Sequence, residues 1–211
     1  MRAGKVGRVA WAAVVMAVAA VAMTPAASAS STSVVTDPVG DAIYAPGITG
    51  QAYQDIVEVS ITLRHEGFTF VMDLAAPVPD SPPLLPPGVE RLTWSWHLDT
   101  DPNTAPCGFP HAPGICVKAE FFVYVIWDGT TFTGLLVDRR PLLTGGEAVL
   151  TPVSFTIEGS EITAFVDGPM IGDPSSFGWR SVTAIWAGPL GTESHLTLDN
   201  APDQGFATWP S

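Results

Sequence analysis

The chain has 211 residues, of which 46% are hydrophobic and 14% charged, and its formal net charge is −12. An acid surplus of this size repels nucleic-acid phosphates and anionic lipid surfaces and attracts cations, so nucleic-acid binding is excluded.

In chain order, Arg2, Lys5 and Arg8 form a positive start, Val9 to Met23 is apolar throughout, and Ala27-Ser28-Ala29 offers a small-x-small cleavage site. This is the pattern of a secretory signal peptide over residues 1–29. The apolar run falls short of the roughly 20 residues that span a bilayer, so no membrane insertion is expected after cleavage. Residues 30–211 are then one secreted, extracellular domain with a substantial core. Removing the leader leaves six basic residues against 21 acidic ones, a net of −15.

Period-two alternation runs through the mature part and predicts about nine strands. Val57, Val59, Ile61 and Leu63 alternate with polar residues, and a turn at His65-Glu66-Gly67 leads to Phe68, Phe70, Met72 and Leu74 as the return strand of a hairpin. Proline-rich 77–87 can join neither a helix nor a central strand and is expected to cross over the surface. Residues 92–98 follow, then 118–127, apolar on both faces as a central strand should be. Asp128-Gly129 marks a hairpin returning through 131–138, and Glu158-Gly159-Ser160 joins 153–157 to 161–166. Residues 181–187 and 194–198 complete the set, and the cap residues and proline of Asp173-Pro174-Ser175-Ser176 predict the one short helix. Short strands with Gly/Pro-rich turns predict an all-β fold, an antiparallel β-sandwich.

Both cysteines, Cys107 and Cys116, lie in the exported part, where a disulfide closing the loop between them is the expected state. Just before them, Asp99, Asp101 and Asn103 place side-chain oxygens at alternate positions, with Glu120 as a distant fourth donor. Calcium needs six to eight oxygens, which such a loop can begin to supply. The EF-hand pattern breaks at Thr104 and Pro110, where glycine and a bidentate Glu belong, and Asp, Asn and Pro equally suit a plain turn. A second acidic group frames the domain. Asp37 and Asp41 stand near its start and Asp199 and Asp203 near its end, and close termini would let them share a cation. Of six tryptophans in the mature chain, Trp179 and Trp209 lie in the least regular sequence and are the expected exposed platforms for a sugar ring. No motif of nucleophilic or zinc-dependent hydrolysis is present.

Several short motifs occur together: D-x-x-G-D-A at Asp37–Ala42, Y-x-D-I at Tyr53–Ile56, W-x-L-D-T-D-x-N at Trp96–Asn103, E-F-F-V at Glu120–Val123 and D-x-A-P-D-x-G at Asp199–Gly205. In this set the chain resembles bacterial secreted β-sandwich domains of the DOMON-like and family 9 carbohydrate-binding-module type. The resemblance implies a jelly-roll-like sandwich and, in carbohydrate-binding members, bound calcium and aromatic rings stacked around a sugar. Three functional expectations stand at this point. The first is a calcium-stabilised secreted module binding an extracellular glycan such as a polysaccharide. The second is a secreted glycosidase-like hydrolase working through a carboxylate pair, and the third an envelope-associated structural protein.

Overall fold

A computed structural model describes residues 31–42, 51–64, 67–84, 87–104, 118–187 and 194–211. The expected leader, the His65-Glu66 turn and both cysteines of the expected Cys107–Cys116 disulfide lie outside the described residues.

The described residues contain twelve strands and three short 3-10 helices. In order, the strands are β1 (Thr32–Thr36), β2 (Ile56–Arg64), β3 (Gly67–Leu74), β4 (Val89–Asp99), β5 (Phe121–Trp127) and β6 (Phe132–Asp138), then β7 (Val149–Pro152), β8 (Ser154–Glu158), β9 (Glu161–Asp167), β10 (Phe177–Ala187), β11 (Ser194–Ala201) and β12 (Ala207–Trp209). They form two antiparallel sheets. One has the order β1-β2-β3-β9-β8; the other runs β11-β10-β4-β5-β6-β7, with β12 also pairing to β10. No helix among the described residues is long and apolar enough to cross a membrane.

Alternation explains the layers. Phe68, Phe70, Met72 and Leu74 of β3 and Ile162, Ala164 and Val166 of β9 turn inward from the first sheet. Trp94, Trp96 and Leu98 of β4 and Phe121, Val123 and Val125 of β5 meet them from the second, and the Phe70 and Trp96 rings lie 5.9 Å apart. The indole N–H groups of Trp94 and Trp127 donate to the carbonyls of Tyr53 and Pro82, at 2.9 and 2.8 Å. The polar handles of these two rings are thereby satisfied, whereas the Trp96 indole N–H is buried with no partner. The proline-rich crossover carries the chain from β3 in one sheet to β4 in the other. At the opposite margin the chain passes from β7 to β8 through Val153, whose N–H bonds the Gly134 carbonyl at 3.1 Å. A Cβ at Gly134 would stand 2.5 Å from the Val153 carbonyl oxygen, so this close approach requires glycine.

All nine expected strands are present, and three further ones, β1, β7 and β12, are short strands that the alternation did not disclose. Two local expectations need correction. Val57 was placed on the core face, but the register shifts between Ile56 and Glu58, so that Ile56, Val59 and Ile61 are buried and Val57 is only half-buried. A bulge of this kind inserts one residue and resets the alternation. The helix expected over 173–176 is not formed. A 3-10 helix ends just before it, at Gly168–Ile171, and Asp173 takes a left-handed φ of 47° with its N–H bonded to the Gly168 carbonyl at 2.9 Å. The cap residues serve a turn into β10 instead.

The expected exposed platforms are also corrected. Trp179 is 0% and Trp209 3% exposed. Each belongs to a strand, since β10 starts at Phe177 and β12 pairs with it, placing Phe177 opposite Trp209. The Trp209 ring stacks on Phe177 at 5.2 Å and meets the Phe68 ring edge-on at 4.9 Å. Of the six tryptophans among the described residues, Trp186 alone is not buried.

Candidate cation site

Two acidic regions were expected to bind a cation, and the structure treats them differently. In the loop after β4, Asp99 pairs with Lys118 at 2.7 Å. Asp101 accepts bonds from the backbone and side-chain nitrogens of Asn103, at 2.9 and 3.0 Å, which makes an Asx turn. Glu120, 2% exposed, accepts through Oε2 from the N–H groups of Thr100 and Asp101, at 2.6 and 3.2 Å, and from the Thr100 hydroxyl at 3.2 Å. Asp99, Asp101 and Glu120 do not form a group of three with oxygens mutually within 4.8 Å. These bonds order the loop, while Oδ1 of Asp99 and Oε1 of Glu120 are buried with no hydrogen-bond partner.

The other region converges. The first and last described strands run along the same margin of the sandwich: the Ser33 hydroxyl donates to the Thr208 carbonyl at 2.9 Å, the Trp209 indole to the Ser31 carbonyl at 3.3 Å, and the Ser211 hydroxyl to the Thr32 carbonyl at 3.1 Å. Asp37 follows β1 directly, with its N–H on the Val57 carbonyl at 2.8 Å. Gly40, at φ 88°, then turns the chain so that Asp41 faces back, and no residue with a side chain adopts that conformation readily. Asp55 follows a 3-10 helix at Ala52–Gln54 that is tied to the second sheet by the Thr183 hydroxyl on the Gln54 carbonyl, 2.6 Å. Its Oδ2 accepts the Gly40 N–H at 2.8 Å, so the turn and the carboxylate position each other.

Asp199 comes from the far sheet. The register of β10 against β11 shifts after Thr183, whose partner is Asp199, while Ala184 faces Thr197. Leu198 is the extra residue, and it and Asp199 are both buried. The bulge therefore sends Asp199 across to the first sheet, where its Oδ2 accepts the Ile56 N–H at 2.6 Å and its Oδ1 the N–H of Asn200 at 2.8 Å. Asp203 lies on the exposed turn beyond.

Oxygens of Asp37, Asp41 and Asp203 lie within 4.8 Å of one another, as do those of Asp41, Asp55 and Asp199. Asp37 is 9% and Asp55 4% exposed, and Oδ2 of the first and Oδ1 of the second are buried with no hydrogen-bond partner. Burial, then the charges of Asp199, Asp41, Asp203 and Asp55, push the Asp37 carboxyl up to about 7. Burial also raises Asp199 to about 6, against the two backbone donors that hold it down and with the charges of Asp41 and Asp55 adding to the rise. Buried polar oxygens without partners and crowded like charges are both relieved by a divalent ion with oxygen preference, such as calcium.

Four of these five aspartates were expected from the acidic groups at the two ends of the domain. Asp55 was not among them, although it stands inside the Tyr53–Ile56 motif, where it is set in apolar sequence rather than among turn residues. No protein-family model, curated protein or solved structure matches the chain.

Proposed function

We propose that this protein is an exported binding module whose β-sandwich is stabilised by calcium and whose ligand is an extracellular polysaccharide. The observation that carries the cation reading is the five-aspartate cluster with its two unpartnered buried oxygens. It joins β1, β2 and β11, so an ion there would fasten the margins of the two sheets together. A glycosidase pair needs carboxyl groups about 5–10 Å apart with room for a sugar between them. Here the carboxylate oxygens lie closer than that, with Asp55 and Asp199 each 4% exposed, which favours an ion over a substrate. Export and a Cys107–Cys116 disulfide belong to the same reading and rest on the leader-like start and the cysteine spacing.

Thermal unfolding tests the cation. Extracellular calcium is millimolar, and a site with Kd of about 10⁻⁴ M adds roughly 1.4 kcal/mol by mass action. For a domain of this size that is a rise of about 3–6 °C in Tm between chelator and 1 mM calcium. Asp55→Asn is expected to lose the rise; a wild-type Tm indifferent to calcium would remove the basis of the proposal.

We place the ligand at the Trp186 end of the second sheet's outer face; farther along that face Ser95, His97 and Phe122 are buried. Trp186 is half-buried there, Arg91 lies 5.9 Å from its ring, and its indole is oriented by the Thr93 hydroxyl at 3.1 Å. An oriented aromatic ring with a cation beside it suits a sugar's C–H face and its hydroxyls. In affinity electrophoresis through gels containing neutral or acidic polysaccharides, at least one polymer should retard the protein, and Trp186→Ala should migrate freely. Unretarded migration in every gel would argue that the ligand is not a polysaccharide.

A further inference from the structure

The five aspartates do not make one ring of donors. They make two triads with a single member in common: Asp37, Asp41 and Asp203 on the outside, and Asp41, Asp55 and Asp199 on the inside. Each triad holds its own buried carboxylate with an unpartnered oxygen, Asp37 Oδ2 in the outer and Asp55 Oδ1 in the inner. One ion in either triad would leave the other's buried oxygen unanswered. Charge gives the same count: five carboxylates around one divalent ion keep a large negative excess in a partly desolvated place, whereas two divalent ions nearly neutralise it.

We propose that the cluster holds two calcium ions side by side, with the Asp41 carboxylate bridging them. This rests on the cation reading above and extends it to number and order. The inner triad is the stiffer. Asp55 and Asp199 are almost fully buried, and three backbone N–H groups, those of Gly40, Ile56 and Asn200, fix their carboxylates. The outer triad has two exposed members, Asp41 and Asp203, and only Asp37 is buried. A rigid site binds calcium more tightly than a mobile one of equal charge. The inner ion therefore binds first, and by fixing Asp41 it organises the outer site for the second. Backbone carbonyls and water complete each shell to the six to eight oxygens that calcium takes.

The test is calcium stoichiometry on the secreted, chelator-stripped protein, by equilibrium dialysis with radioactive calcium and by calorimetric titration. The expected result is two ions per chain in two steps of different affinity. Asp203→Ala, a change at an exposed turn, should keep the tight step and weaken the second at least tenfold. Asp55→Asn should abolish the tight step, and Asp41→Asn should weaken both; melting curves of each variant in chelator establish that it is folded. A single ion per chain in the wild type, or an Asp203→Ala protein that still binds two ions unchanged, would overturn the bridged pair while leaving one structural ion in place. No bound calcium at all would overturn the cation reading together with the pair.

Discussion

Replacing Trp179 by alanine should lower the unfolding free energy by about 3–5 kcal/mol, the usual cost of deleting a large aromatic ring from a packed core. The ring is fully buried, and its indole N–H donates to the Ser33 hydroxyl at 3.2 Å, which in turn donates to the Thr208 carbonyl. Truncation leaves a cavity beneath β10 and cuts a relay that connects β10, β1 and β12. Urea unfolding followed by far-ultraviolet circular dichroism measures the loss. A change of less than about 1 kcal/mol is the cost of a surface site, and would mean that Trp179 is exposed after all.

Calcium-free protein should become more stable, not less, as pH falls from 8 to 5. In the folded chain Asp37 ionises at about 7 and Asp199 at about 6, both above the ordinary 3.8 of an aspartate. Between the ordinary value and these raised ones, the folded state binds protons that the unfolded state has released. The contribution is complete below about pH 4 and is lost as pH rises through 6 and then 7. Calcium does what the protons do, so in calcium the gain on acidification should shrink, and the apparent calcium affinity should fall as pH drops below about 7. Scanning calorimetry at pH 5 and 8, with and without calcium, gives all four melting temperatures. Asp37→Asn should flatten most of the calcium-free dependence. A calcium-free Tm that is level or falls on acidification would count against the crowding of these carboxylates.

Much of the sandwich was legible because alternation is local. The Asp128-Gly129 and Glu158-Gly159-Ser160 turns each join the strands they were expected to join, and β5 is apolar on both faces because Phe121, Val123 and Val125 face the main core while Phe122 packs in a second cluster with Ala119 and Tyr124. What was not legible depends on partners distant in sequence. β12 is three residues long and is a strand only because β10 begins early enough, at Phe177, to pair with it. The same early start buries Trp179 and Trp209, whose Gly- and Pro-flanked sequence suggests a loop. In the acidic cluster, the aspartates in turn-rich sequence were visible. Asp55 was not, because its role comes from a helix tied to the opposite sheet and from the Asp199 bulge, neither of which leaves a local pattern. The loop at Asp99–Asn103 shows the converse: its composition suits both a metal site and a turn, and what orders it, the bonds from Thr100 and Asp101 to Glu120 just before β5, leaves no local pattern.

The meeting of the first and last described strands has a mechanical consequence. Ser31, Thr32 and Ser33 touch Trp209, Ser211 and Thr208 respectively, so a pull applied at Ser31 and at Ser211 is carried first across the narrow seam between β1 and β12. The hydrophobic layer under β4 and β5 lies outside that load path. Tension would break the Trp209–Ser31 and Trp179–Ser33 bonds of the seam before it reached the rings of β4 and β5, and the neighbouring aspartates, from Asp37 just after β1 to Asp199 in β11, would act as its rivet whenever they are charge-balanced.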